Sequence, residues 1–125
     1  MKHTRSAMVV LSLSLALLSG CQQRQSAKRV TTEQVNQLAA LIASAEWLRD
    51  RCQRSDIPLR PAVEEAAIKM AKQRGWQMSA VTQQDVNNAV EQRYLALSED
   101  NVLINHKCAQ LNQAAAPFIQ QINSV

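Results

Sequence analysis

Glycine, aromatic residues and histidine are scarce in this chain, and each shortage excludes a class of function. Two glycines in 125 residues are too few for the glycine-rich turns that cradle phosphates or dinucleotides. Aromatic residues make up 3% of the sequence, which removes much of the side-chain chemistry that favours strands. Two histidines and three cysteines do not reproduce the paired spacings of a zinc site, and "HKC" at His106–Cys108 leaves His106 an ordinary solvated residue near a helix start. Glu64 and Glu65 are adjacent, so on a helix they point in different directions and form no acid–base pair. No nucleophile sits with a base, so the chain is expected to be neither an enzyme nor a metal or cofactor protein.

The abundant residues are Ala, Gln, Leu and Lys, which are good helix formers. Before the helical part, a charge-free run from Ala7 to Gly20, "AMVVLSLSLALLSG", follows a basic start carrying Lys2 and Arg5. That is the layout of a secretory signal, and it is shorter than the roughly 20 apolar residues a membrane-spanning helix needs. An ordinary signal demands no cysteine behind its small residues, so Cys21 is the informative letter. Leu18-Ser19-Gly20-Cys21 looks like a bacterial lipobox, in which the cysteine sulfur takes a diacylglycerol and the freed amine a further acyl chain. Each buried methylene contributes about 0.8 kcal/mol, so several chains make a stable anchor. Gln22, where an Asp would retain a lipoprotein in the inner membrane, points to the outer membrane, with the domain facing the periplasm. The expected organisation is a lipoprotein signal peptide at 1–20, an acylated tether at 21–29 and a helical domain at 30–125.

Lys2 and Arg5 leave with the signal, so the mature chain carries 12 Lys and Arg against 10 Asp and Glu. That small excess makes no case for a nucleic-acid partner. With Cys21 acylated, Cys52 and Cys108 remain as an even pair in an oxidising compartment, where two cysteines allow one connectivity. A disulfide between them is expected, stabilising by on the order of 4 kcal/mol on the chain-entropy model.

Four helices are punctuated clearly. Thr31 and Gln34 form a capping box, with Val30 and Val35 placed as a hydrophobic staple. Val35, Leu38, Ile42, Ala45, Leu48 and Cys52 then recur every three or four residues, flanked by Leu41 and Trp47, until "RSDIP" closes the helix. The second helix is expected from Pro61, with Glu64 and Glu65 as solvated dipole partners in its first turn, to Gly75 after Lys69, Lys72 and Arg74. Its apolar side is Val63, Ala66, Ala67, Met70 and Ala71. Thr82 and Asp85 cap the third helix, which carries Val86, Ala89, Val90, Tyr94 and Leu97 inward until "SEDN". The fourth spans about Ile104 to Asn123, with Pro117 predicted to kink or split it. The fold class is all-α, a small four-helix bundle with one disulfide joining the end of the first helix to the start of the fourth.

Three stretches carry a family resemblance: "LAALIASAEWLRDRCQRSDIP", "AIKMAKQRGW" and "KCAQLNQAAAPF". With them the chain resembles the type II secretion pilotins of the PulS/OutS family. The specific elements are Cys52 followed by "RSDIP", "RGW" ending at Trp76, and Cys108 with Leu111, Asn112, Pro117 and Phe118; Leu111 stands where the family more often has an aromatic residue. The resemblance implies an outer-membrane lipoprotein that binds the C-terminal segment of a secretin subunit, which folds into a helix on docking. It also implies that the lipoprotein sorting machinery then carries the secretin to the outer membrane. No cofactor is implied beyond the covalent lipid on Cys21, and the membrane is met through that anchor. On periodicity alone the apolar stripes are core. The resemblance turns part of them into candidates for a docking groove: Leu41, Ala45 and Leu48, with Val63, Met70, Val90, Tyr94 and Leu97. The competing reading is a periplasmic inhibitor or scaffolding lipoprotein that uses the same anchor and bundle for another client.

Overall fold

The computed structural model describes residues 28–124; the signal and Cys21 lie outside the described residues. A two-residue strand β1 (Lys28–Arg29) leads into α1 (Thr32–Arg51), α2 (Arg60–Gln73), β2 (Trp76–Gln77), a 3-10 turn (Met78–Ala80), α3 (Gln83–Glu99) and α4 (Ile104–Asn123). Both capping boxes form. Thr31 Oγ1 accepts from the Gln34 backbone N–H at 3.2 Å while Gln34 Oε1 accepts from the Thr31 N–H at 2.9 Å. Thr82 and Asp85 repeat the exchange at 3.1 and 2.9 Å, and the Thr82 backbone N–H holds the Asp85 carboxyl below its usual range. Each such cap stabilises its helix by about 1 kcal/mol.

Two helix ends show how the chain stops. α2 is followed by Gly75 at φ 82° and α1 by Gln53 at φ 58°, so both enter the left-handed region that ends helices, one with glycine and one without. α2 begins one residue earlier than expected, with Leu59 as an N-cap that makes no side-chain bond. That shift removes Glu64 and Glu65 from the first turn. α4 neither splits nor stops at Pro117. Pro117 and Gln113, whose carbonyl loses its donor, are exposed, so water can serve the freed oxygen.

α1 is the centre of the bundle. Leu38, Ile42 and Ala45 form one buried stripe, and Ala39, Ala43 and Trp47 form a second beside it. A helix apolar on so much of its circumference is wrapped by neighbours, and α2, α3 and α4 all pack on it. Val86, Val90 and Leu97 meet it from α3, and Phe118, Ile119 and Ile122 of α4 complete the core. Burying each large aliphatic side chain contributes about 1.5–3 kcal/mol.

Cys52 and Cys108 are bonded, with Cα atoms 5.6 Å apart. The bond joins the C-cap of α1 to the early turns of α4, as the cysteine arithmetic predicts. β1 pairs in parallel with β2, Lys28 opposite Trp76 and Arg29 opposite Gln77. Residues 28 and 29 therefore belong to the folded domain, which shortens the expected tether by two residues. Among the described residues no helix is long and apolar enough to cross a membrane.

Candidate docking groove

The apolar positions that the sequence offers for a groove, on the first three helices, are mostly closed over. Ala45, Leu48 and Val90 are 0% exposed, Val63 1% and Leu97 7%. These five positions are core, because three helices cover a stripe that the sequence pattern shows only as apolar. Leu41, Met70 and Tyr94 are half-buried at its margins. Tyr94 is already engaged: its hydroxyl donates to Asp50 at 2.8 Å, and its ring lies tilted against Trp47 with centroids 5.4 Å apart.

Trp47 is the hub of this corner. The Arg51 guanidinium lies 5.4 Å and the Lys107 ammonium 4.8 Å from its ring centroid. Lys107 is buried, donates to the Leu97 carbonyl in the last turns of α3 and pairs with Asp100 at 2.5 Å. A cation on terminal carbonyls complements the helix dipole, and it holds Asp100 below the usual carboxylate range by hydrogen bonding. Nothing in the local sequence marks Lys107 as buried.

Grooves flank α2 on both sides. The one between α2 and α3, about 880 Å³, is lined by Arg60, Glu64, Lys69, Lys72, Gln83 and Glu91 among others. Arg60 stands among three carboxylates, with Glu91 at 2.7 Å, Glu64 at 3.2 Å and Glu46 at 3.5 Å. Gln83 donates to the second Glu64 oxygen at 2.7 Å. Glu64 is 8% exposed, so it is a buried cross-helix partner rather than the solvated dipole partner expected. Burial pushes the Glu46 carboxyl above its ordinary range, against the pull of Arg60. Around Arg60 the charges answer one another, and that part of the groove is an ionic seam.

The other groove, between α2 and the end of α4, encloses about 530 Å³. Pro58, Ala62, Ala66, Met70 and Ile122 line it with apolar surface, and Glu65, Lys69, Gln73, Gln121 and Ser124 supply the polar lining. Ala62, Ala66 and Met70 are four residues apart, so they share one face of α2. An apolar trough with polar borders is the surface on which an amphipathic helix docks. Of the eight positions proposed from sequence, this trough contains Met70. Ala62 and Ile122 were missed as groove residues, although the Ala-x3-Ala-x3-Met spacing carries the signal.

The "RSDIP" connector positions the trough's upper edge. Ile57 is fully buried and its carbonyl accepts from Arg49 Nη1 at 2.6 Å. Arg54 grips Asp56 with two bonds of 2.8 Å and donates a third to Asn112 of α4. The connector is thereby tied to both α1 and α4, and Pro58 follows from a fixed point.

The class of protein is a disulfide-stapled helical bundle with a preformed apolar trough. A family model described as "Type II secretion system pilotin lipoprotein (PulS_OutS)" matches residues 18–120, and the chain belongs to this family. It is 36% identical over 118 residues to the pullulanase secretion protein PulS of Klebsiella pneumoniae, covering 88% of this chain and 90% of that one. Among solved structures, one described as "Pilotin/secretin peptide Complex" superposes with a TM-score of 0.71 and 30% identity, covering 77% of this chain and 99% of that one. A chain of the Klebsiella pneumoniae type II secretion system outer membrane complex of PulD, PulS and the PulC HR domain gives a TM-score of 0.68 at 29% identity, covering 72% and 95%.

Proposed function

We propose that this chain binds the C-terminal segment of its type II secretion secretin as a helix in the α2–α4 trough. Acyl chains on Cys21 would then direct the pair to the outer membrane. The observation that carries the reading is the TM-score of 0.71 to a pilotin bound to a secretin peptide, on a chain with an apolar-floored groove beside α2. The two ends of the molecule divide the work: the trough holds the client and Cys21 supplies the address. The role is binding and delivery, with no bond of the client made or broken.

A segment that orders on docking gives up conformational entropy, so its site must offset that loss with apolar contact. A preformed site loses less of its own freedom. The disulfide, the Arg54 clamp and buried Ile57 hold α2 and α4 in place before the client arrives.

Titration of the protein with the secretin's C-terminal peptide tests this directly. Met70→Asp is expected to weaken binding at least tenfold with the helical signal unchanged. Ala62→Asp, at an exposed position in the first turn of α2, repeats the test where the fold is least strained. Unchanged affinity in both variants places the site elsewhere. No saturable binding by the intact protein supports the inhibitor or scaffold reading instead. Cys21→Ser is expected to keep peptide affinity and to strand secretin multimers away from the outer membrane.

A further inference from the structure

The β1–β2 pairing determines where the chain leaves the domain. β1 precedes α1, β2 follows α2, and the 3-10 turn leads into α3. The start of α1, the end of α2 and the start of α3 therefore share one pole with the tether. Seven residue steps separate Cys21 from Lys28, a reach of at most about 25 Å when fully extended. Any membrane holding Cys21 lies within that distance of this pole.

The charge on that pole differs from the charge elsewhere. Lys69, Lys72 and Arg74 at the end of α2 are exposed, and among the described residues none of the three is in an ion pair. The strand that pairs beside them is Lys28–Arg29. Their acidic neighbours in the chain are few: Glu33 opens α1, Glu65 lies one turn before Lys69, and Asp85 is committed to capping α3. At the opposite pole Arg54 pairs with Asp56, Arg60 with Glu64 and Glu91, and Lys107 with Asp100, while Arg49 donates to the Ile57 carbonyl and Arg51 lies over the Trp47 ring. Arg93 apart, the exposed Lys and Arg side chains with no carboxylate, carbonyl or ring partner among the described residues therefore stand at the end of α2, beside the strand that the tether leads into.

We propose that the basic end of α2 seats the domain on anionic phospholipid headgroups, so that the lipoprotein lies in one orientation instead of hanging freely from its lipid. Juxtamembrane Lys and Arg clusters are attracted to anionic leaflets over about a Debye length, roughly 8 Å at physiological ionic strength. The acyl anchor supplies the proximity and the β1–β2 pairing selects the face. This inference rests on acylation of Cys21 and adds an orientation to it.

The test uses the chain isolated from cell membranes, reconstituted into vesicles of phosphatidylcholine or of phosphatidylcholine with one-third phosphatidylglycerol, each carrying a nitroxide-labelled headgroup quencher. Trp76, half-buried in β2, reports the tether pole, and buried Trp47 reports the opposite half. Quenching of Trp76 is expected to be about threefold stronger on the anionic vesicles and to fall to the neutral level in 1 M salt, where the Debye length is about 3 Å. Lys72→Glu with Arg74→Glu is expected to abolish the difference while secretin-peptide affinity stays unchanged, since neither residue lines the trough. Equal quenching on both vesicles, or a difference that survives charge reversal, overturns the proposal. Loss of peptide affinity with quenching unchanged overturns it in favour of a protein partner at this pole. The mass of the isolated chain reports acylation separately. An unmodified Cys21 refutes the anchor, and salt-sensitive partitioning to the anionic vesicles then still decides the role of the basic pole.

Discussion

α1 and α2 are both amphipathic by spacing, yet one is enclosed and the other is flanked by open grooves. α1 carries Leu38, Ile42, Trp47 and Leu48, and it draws a neighbour onto nearly every side. α2 buries Val63, Ala67 and Ala71 toward the core but turns Ala62, Ala66 and Met70 toward a trough. Small residues let helices approach yet fill little volume, so a face built from them leaves room for a visitor. Hydrophobic periodicity is the same in both cases; side-chain size separates a face that is filled from one that is left open.

The largest expected effect breaks the enclosed helix. Leu48→Asp places a carboxylate with no counter-charge at a fully buried site, and a loss of more than about 4 kcal/mol should abolish cooperative thermal unfolding. Ala62→Asp on the open helix should leave the melting temperature within a few degrees. A folded Leu48→Asp protein that merely loses peptide binding would return Leu48 to the groove and undo the contrast.

Replacing Cys52 and Cys108 together by Ser should lower stability by about 4 kcal/mol for a loop of this length, measured by denaturant titration. Because α4 contributes Ile122 to the trough, the same variant should bind the secretin peptide more weakly.

Lys107→Met removes the cation that joins the Leu97 carbonyl, Asp100 and the Trp47 ring. A loss of about 2 kcal/mol is expected at neutral pH. Asp100 has a folded pKa below its ordinary 3.8, so the stability linked to its charge is present above that value and is lost as pH falls through the folded pKa. The gap between wild type and Lys107→Met should therefore narrow in acid, and a gap that is constant with pH would remove Asp100 from the explanation.

The smallest effects compare the two helix ends. Gly75→Ala meets no atom within 4 Å, so its cost is that of a left-handed backbone alone, about 1 kcal/mol. Gln53→Gly should stabilise by a similar or smaller amount, since Gln53 already adopts that conformation without glycine's freedom. Equal and opposite shifts in melting temperature would confirm that both ends use the same device.

The elements with local chemistry were legible. Thr31 with Gln34, Thr82 with Asp85, and Gly75 announce their helix ends because the interacting groups lie within a few residues of each other. The Cys52–Cys108 bond was legible because two cysteines have one pairing. The burial of Glu64 and Lys107 was not, since Gln83 for one and Trp47 and Asp100 for the other come from other helices or beyond the connecting turn. Five of the eight groove candidates are buried for a related reason: a stripe of Leu and Ile reads as the most attractive docking surface, but it attracts the protein's own helices first.

The sequence by itself determined the all-α class, the helix boundaries to within a residue or two, the disulfide and the family, because each depends on local spacing, capping or a pairing with no alternative. The tertiary structure alone decided which apolar stripe is core and which is trough, and which charges are neutralised. Those outcomes depend on what packs across from a residue, and periodicity along one chain carries no record of that.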